Sequence, residues 1–191
     1  MTVWSLHCSA CSYESPGNVL ASICPQCGQP LLVRYSSVAP PREALRGWSM
    51  WRYRSVLPLA PGEEPVTLGE GATPLLDLPA IASELGVRRL WVKDEGRNPT
   101  GSFKARGMSA AVTRARALGV PGLVVPTAGN AGAAMAAYAA AAGLPARVFA
   151  PESTPPAILE TIRVFGATLV TVTGHIGDAG KKAREIGRAH V

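Results

Sequence analysis

Downstream of residue 119 the apolar residues come in short blocks separated by polar or glycine-containing stretches. Gly122 to Pro126 (GLVVP), Ala146 to Ala150 and Thr168 to Thr173 are three such blocks, and each reads as a strand. Between them, Ala131 to Ala142 reads as a helix of small residues closed by Gly143. A second helix is expected from about Pro155 to Phe165, and a third begins near Asp178. Apolar strands that lack polar alternation are buried on both faces, so the pattern predicts a parallel sheet covered on both sides by helices. The expected architecture is a three-layer αβα fold. Upstream, Leu90 to Lys93 (LWVK) is a short strand, Asn98-Pro99-Thr100-Gly101 a polar loop, and Ser102 to Leu118 a helix closed by Gly119. Leu78 to Leu85 forms a short helix ended by Gly86, and Leu31-Leu32-Val33 a strand.

The expected division is residues 1–35 as a small module, 36–66 as a connector and 67–184 as the α/β body. The connector is Pro-rich from Ser36 to Pro41, then carries Trp48, Trp51 and Tyr53, which are expected to pack it onto the body. Composition is that of a globular domain: 47% hydrophobic and 17% charged. The formal charge of +6 comes mostly from scattered arginines without a run of like charges, so neither nucleic acid nor a membrane is indicated as partner. Met1 to Tyr13 has no apolar core of a secretory signal, and Ala131 to Leu144 is too short to span a bilayer. A cytoplasmic location is the expectation.

Cys8, Cys11, Cys24 and Cys27 form C-x2-C-x12-C-x2-C. Two CxxC knuckles at this spacing can direct four thiolates at one tetrahedral ion, which predicts a structural Zn2+ site in a zinc-ribbon-like module. Disulfides are the rival reading, disfavoured in a reducing compartment. His7 adjoins Cys8 and is a further candidate ligand. So small a module cannot build its own core, and the metal would supply most of its stability.

Two loops carry candidate chemistry. Lys104 falls in the first turn of its helix, where the backbone field disfavours a cation. It is either a solvated first-turn lysine or an amine kept neutral for carbonyl chemistry. Thr127-Ala128-Gly129-Asn130 lies at the carboxyl end of a strand, where open α/β sheets bind ligands. It is either an ordinary turn capped by Thr127 or a carboxylate site approached closely at Gly129 and Gly132. Lys93, Asp94 and Glu95 end a strand near the same mouth, and as three charges they are either solvated or functional.

The string NPTGSFKARG, preceded by LWVKDEG, resembles the cofactor-lysine segment of the fold-type II pyridoxal-phosphate enzymes (tryptophan synthase β-like), and among them the threonine synthases. GEGATPL and TAGNAGAA resemble two further strings of that family at matching distances. The resemblance implies pyridoxal 5'-phosphate as cofactor, with Lys104 bonded to it, Phe103 packed behind its ring and Asn130 on its phenolic oxygen. It also implies that Thr127, Ala128 and Gly129 hold the substrate carboxylate. The implied activity is conversion of O-phospho-L-homoserine and water to L-threonine and phosphate, by a homodimer. Thr100, Ser102 and Lys93 are candidates for the substrate phosphate. The family usually has Asp where Ala105 stands, a departure of modest expected effect.

The family's glycine-rich phosphate cup and pyridine-nitrogen residue are not found in this chain, so the resemblance covers the ribbon and roughly the first half of a catalytic domain. Residues 185–191 (EIGRAHV) resemble the translation of a sequencing-adapter oligonucleotide, and the expectation is that native sequence stops near Arg184. Two other functions stay open. One is a pyridoxal-phosphate-dependent serine/threonine dehydratase or β-replacing synthase. The other is a non-catalytic zinc-ribbon binding module on an empty α/β body.

Overall fold

The computed structural model describes residues 4–36 and 40–187. Three strands open the chain: β1 (Trp4–Cys8), β2 (Glu14–Pro16) and β3 (Leu31–Tyr35), all antiparallel in the order β2-β1-β3. Short 3-10 turns at Arg42–Ala44 and Met50–Val56 follow. Strand β4 (Leu75–Asp77), helix α1 (Pro79–Glu84) and strand β5 (Trp91–Lys93) come next, with Leu75 opposite Lys93. The remainder alternates: α2 (Lys104–Ala117), β6 (Leu123–Pro126), α3 (Asn130–Ala142), β7 (Ala146–Pro151), α4 (Pro156–Val164), β8 (Thr168–Val172) and α5 (Ile176–Gly187).

Strands β6, β7 and β8 form a parallel sheet in sequence order. Consecutive residues of the central strand sort to opposite faces. Val148 joins Ala133, Met135, Ala136 and Ile162 under α3 and α4, whereas Phe149 joins Val172, Ala179 and Ala183 under α5. The sheet is therefore the middle of three layers, as its apolar blocks predict. Helix α2 lies outside α3, packing Ala105 and Val112 against Tyr138 and Val66.

The structure adds to several expectations and corrects others. Strand β5, for which no partner was expected in advance, pairs antiparallel with β4 in a separate two-stranded sheet. The chain doubles back through α1, with the Leu78 N–H donating to the Leu90 carbonyl at 3.0 Å. Of the connector aromatics only Trp51 is buried. Trp48 is 81% exposed and Tyr53 is also exposed, so the anchoring falls to Trp51 with Met50 and Leu59. The lysine helix starts at Lys104 rather than Ser102 because Pro99–Gly101 forms its own 3-10 turn with Thr100 at φ +66°. Asn130 is already helical, and α5 starts two residues before Asp178. Residues 185–187, part of the proposed non-native tail, continue α5, and 188–191 lie outside the described residues. No helix among the described residues is long and apolar enough to cross a membrane.

Gly132 is explained by packing, not by ligand access. A Cβ there would stand 2.4 Å from Thr127 Cγ2 and 3.1 Å from both Ile162 Cδ1 and Val148 Cγ1. The buried face of α3 is alanine almost throughout, which brings its backbone close to β7. Gly132→Ala is expected to lower unfolding free energy by about 1–3 kcal/mol through overpacking. Gly107, exposed in α2 with nothing near a Cβ, is the contrast. Gly107→Ala should raise stability by up to about 1 kcal/mol. Urea unfolding of both variants checks the pair, and equal effects would refute the packing account.

Candidate functional site

The lysine loop is held by charge and hydrogen bonds before it reaches Lys104. Arg106, in the first turn of α2, grips Glu95 with Nε at 2.7 Å from Oε2 and its terminal nitrogen at 2.8 Å from Oε1. Thr73 Oγ1 donates to Glu95 at 2.7 Å and Asn98 Nδ2 at 2.8 Å. Asn98 Oδ1 accepts from the Gly71 N–H at 3.1 Å, tying the loop to the segment ahead of β4. The Arg106 guanidinium, against the opposing effect of partial burial and helped by Thr73 and Asn98, pulls the Glu95 carboxyl down to about 2. Glu95 is thus a structural anion, and Lys93 Nζ is committed to the Thr73 carbonyl.

Within this frame Lys104 is half-buried rather than buried, with Nζ 4.6 Å from the centre of the Phe103 ring. Phe103 is 58% exposed. Ser102 is buried, and its Oγ accepts from the Lys104 N–H at 3.3 Å, which occupies one free N–H at the start of the helix. Thr100 Oγ1 is buried, with no hydrogen-bond partner among the described residues. Ala105 is fully buried against Val66, Val112 and Tyr138.

In the second loop Thr127 is buried, and its N–H donates to the Phe149 carbonyl at 2.9 Å. Its Oγ1 accepts from the Gly129 N–H at 3.1 Å, so this side chain shapes its own turn. Ala128 and Asn130 are exposed, and Gly129 has open space where a side chain would point. Helix α3 packs against both α2 and the Pro99–Gly101 turn, which makes the Lys104 loop and the helix begun by Asn130 neighbours.

What sequence reading missed is Glu70. It lies within GEGATPL, singled out for family resemblance without a role for the glutamate, and it is fully buried. Trp51 Nε1 at 2.9 Å, Thr67 Oγ1 at 3.0 Å, the Leu68 N–H at 3.0 Å and Tyr138 OH all donate to its carboxylate, and Ser109 Oγ lies 2.7 Å away. Burial raises its carboxyl, but the donors from Tyr138, Ser109 and Leu68 outweigh that and hold it below the usual range. Burial and the facing carboxylate push the Tyr138 phenol up. No local signal announces this cluster, because Ser109 and Tyr138 stand 39 and 68 residues away in the chain.

The four cysteine sulfurs lie within 4.8 Å of one another. Cys8 Sγ is 3.4 Å from Cys27 Sγ, and Cys11 Sγ is 3.6 Å from both Cys24 and Cys27. These separations are far longer than a disulfide bond of about 2.05 Å. They approach the edge of about 3.8 Å that four sulfurs would span around a tetrahedral zinc ion. Backbone N–H groups of Ala10 and Cys11 point at Cys8 Sγ at 3.4 Å, and that of Gln26 at Cys24 Sγ. Those two N–H groups, the Ala10 one most, draw the Cys8 thiol down to about 6. Cys27 is lowered by the Gln29 backbone, but its sulfur neighbours and burial carry it up to about 12. His7 is not among these groups, its ring nitrogens facing Glu14 at 2.9 Å and Ser5 at 2.8 Å.

Comparison with known proteins places this geometry. The family described as pyridoxal-phosphate dependent enzyme matches residues 66–190. The threonine synthase of Methanosarcina acetivorans is 36% identical over 182 residues, covering 93% of this chain and 44% of that protein. That of Methanocaldococcus jannaschii is 39% identical over 140 residues, covering 73% of this chain and 35% of that one. The chain thus spans less than half the length of these relatives. Among solved structures, an O-ureido-L-serine synthase aligns with a TM-score of 0.56 at 33% identity, over 61% of this chain and 38% of that chain.

Because Glu95 has a depressed folded-state pKa, its contribution to stability is present above the ordinary carboxylate value of 4.5 and drains as pH falls through about 2. Urea midpoints measured between pH 7 and pH 2 should therefore fall less steeply in Glu95→Gln than in the parent, from a lower starting value. Parallel curves would show that the Arg106 pair does not carry this acid sensitivity.

Proposed function

The chain belongs to the pyridoxal-phosphate-dependent enzyme family, and on that footing we propose that it supplies the lysine-bearing part of a threonine synthase. The carrying observation is Lys104, an amine at the head of α2, which packs against the helix that Asn130 begins. Similarity to threonine synthases over up to 93% of the chain supports the choice of reaction. The residues present suit the reactive end of the cofactor: an amine for its aldehyde, an amide at Asn130 for its phenolic oxygen, and the open turn at Gly129 for a carboxylate.

When bound, pyridoxal phosphate supplies an electron sink for negative charge at substrate carbon. The chain's own share is placement and proton transfer. Lys104 Nζ would bond the cofactor, yield that place to the substrate amine, and as a free amine take and return protons at successive substrate carbons. In the Thr127-Ala128-Gly129 turn the first and last N–H groups go to the Phe149 carbonyl and Thr127 Oγ1, so the Ala128 N–H, at a helix start, would be the one to meet the substrate carboxylate. Thr100, Ser102 and Lys93 are the candidates for the substrate phosphate: Ser102 Oγ accepts from the Lys104 N–H and keeps its own proton to donate, and Lys93 Nζ spends one of its protons on the Thr73 carbonyl. The substrate is then O-phospho-L-homoserine and the products are L-threonine and phosphate. The full enzyme is read as a homodimer.

Residues 1–35 are read as a zinc-ribbon-like module, 36–66 as its connector and 67–184 as catalytic-domain sequence. Four sulfurs at near-tetrahedral spacing, held by N–H donors, suit a structural Zn2+ ion. Such a site would contribute folding free energy outright. A β-replacing synthase is the second reading, favoured by the 33% identity to an O-ureido-L-serine synthase.

Incubation with pyridoxal phosphate followed by borohydride should fix the label chiefly on Lys104 by peptide mapping, and Lys104→Ala should lose it. Label spread evenly over Lys93, Lys104, Lys181 and Lys182 would count against the reading. A panel of O-phospho-L-homoserine, L-serine, L-threonine and O-acetyl-L-serine, given to the protein in its longest natural form, separates the two reactions. Metal analysis should find one zinc per chain, and Cys24→Ser should lose it and lower the melting temperature. A metal-free native protein whose melting is indifferent to zinc would rule the metal site out.

A further inference from the structure

We propose that Glu70 is a positioning residue for Lys104, one that sets the register between the two helices carrying the candidate cofactor groups. The inference rests on the reading of Lys104 given above.

The argument begins with the cost of the group. A carboxylate fully removed from water is tolerated only when its lone pairs are filled. Here the filling is done by neutral donors from four separate parts of the chain. Trp51 comes from the connector, Thr67 and Leu68 from the local turn, Ser109 from α2 and Tyr138 from α3. Ser109 has one proton for two acceptors, lying 2.7 Å from both Glu70 Oε1 and the Val66 carbonyl, while its oxygen accepts from Trp51 at 2.9 Å. Thr113, one turn further along α2, accepts from the Val66 N–H at 2.8 Å. The Glu70 carbonyl also accepts from the Met50 N–H at 2.7 Å, and Gly71 must lack a side chain because a Cβ would lie 2.5 Å from that nitrogen.

The geometry makes the cluster a register device. Lys104 is the first residue of α2 and Ser109 stands five residues on, about 7.5 Å along the axis. Asn130 is the first residue of α3 and Tyr138 stands eight residues on, about 12 Å along its axis. One carboxylate holds both points, so neither helix can slide or rotate without breaking a buried bond. The apolar contacts between these helices are made by Ala105, Met108 and Val112 of α2 with the Tyr138 ring and Ala142 of α3, and they are less directional. The charge also matters in kind. Glutamine has the same shape, but its NH2 would face one of the donors, so at least one helix contact must shift while the apolar packing persists.

The test uses the whole 191-residue chain with pyridoxal phosphate and borohydride, scoring label on Lys104 against Lys93, Lys181 and Lys182. Glu70→Gln should unfold cooperatively yet lose Lys104 selectivity by about tenfold, as expected for displacement of a reacting group by a fraction of an ångström to one ångström. Tyr138→Phe keeps the ring, removes one donor, and should show a smaller loss in the same direction. It decides the matter if Glu70→Gln does not fold. Should both variants melt at lower temperature but keep the parent's selectivity, Glu70 is a brace alone and the inference is overturned. Were the parent itself to show no preference for Lys104, the functional reading would fall and take this inference with it.

Discussion

A single buried carboxylate holds this structure together where the chain alone would not. Glu70 collects donors from the connector, its own turn, α2 and α3. Each hydrogen bond to a charged acceptor contributes about 1.5–3 kcal/mol in typical cases. The larger consequence is the penalty for losing any one of them, since the remaining charge would sit in the core under-solvated. Such a cluster permits few alternative packings. It also explains why Trp51, alone of the connector aromatics considered at the outset, is buried: its indole N–H has an anion to reach.

Around that centre the molecule divides its charges by task. Glu95 and Arg106 form a two-pronged pair that pins the loop ahead of α2, with Thr73 and Asn98 filling the other carboxylate positions. Neither group is then free for chemistry. Among the described residues, the Lys104 amine and the Thr100 hydroxyl of the same loop are not tied into this pair. A rigid frame that leaves such groups over is the arrangement expected of a preorganised site.

The cysteine module is joined to this body through the same helix. Trp4 of β1 is buried, and the Arg114 guanidinium of α2 lies 5.0 Å from its ring centre. Arg114 also pairs with Glu63 at 3.1 Å, so one side chain links the module, the connector and the lysine helix. Arginine suits this position because its planar group can stack on an indole while its edge donates to a carboxylate.

Much of this was readable from local pattern. Apolar blocks without alternation located β6, β7 and β8, glycines marked helix ends, and the CxxC pairs grouped four sulfurs that the fold does bring together. These features are legible because each depends on residues within about one element of one another. The partnership of β5 with β4, the exposure of Trp48 and the packing role of Gly132 were not legible, since each depends on what lies opposite across the fold. Glu70 is the extreme case: a glutamate between two glycines reads as a solvated turn until residues 51, 109 and 138 converge on it. Residue spacing by itself determined which groups could do chemistry. Only the tertiary structure decided which of them were already spent on holding the fold, because a hydrogen bond consumes a donor regardless of how far away in sequence its partner lies.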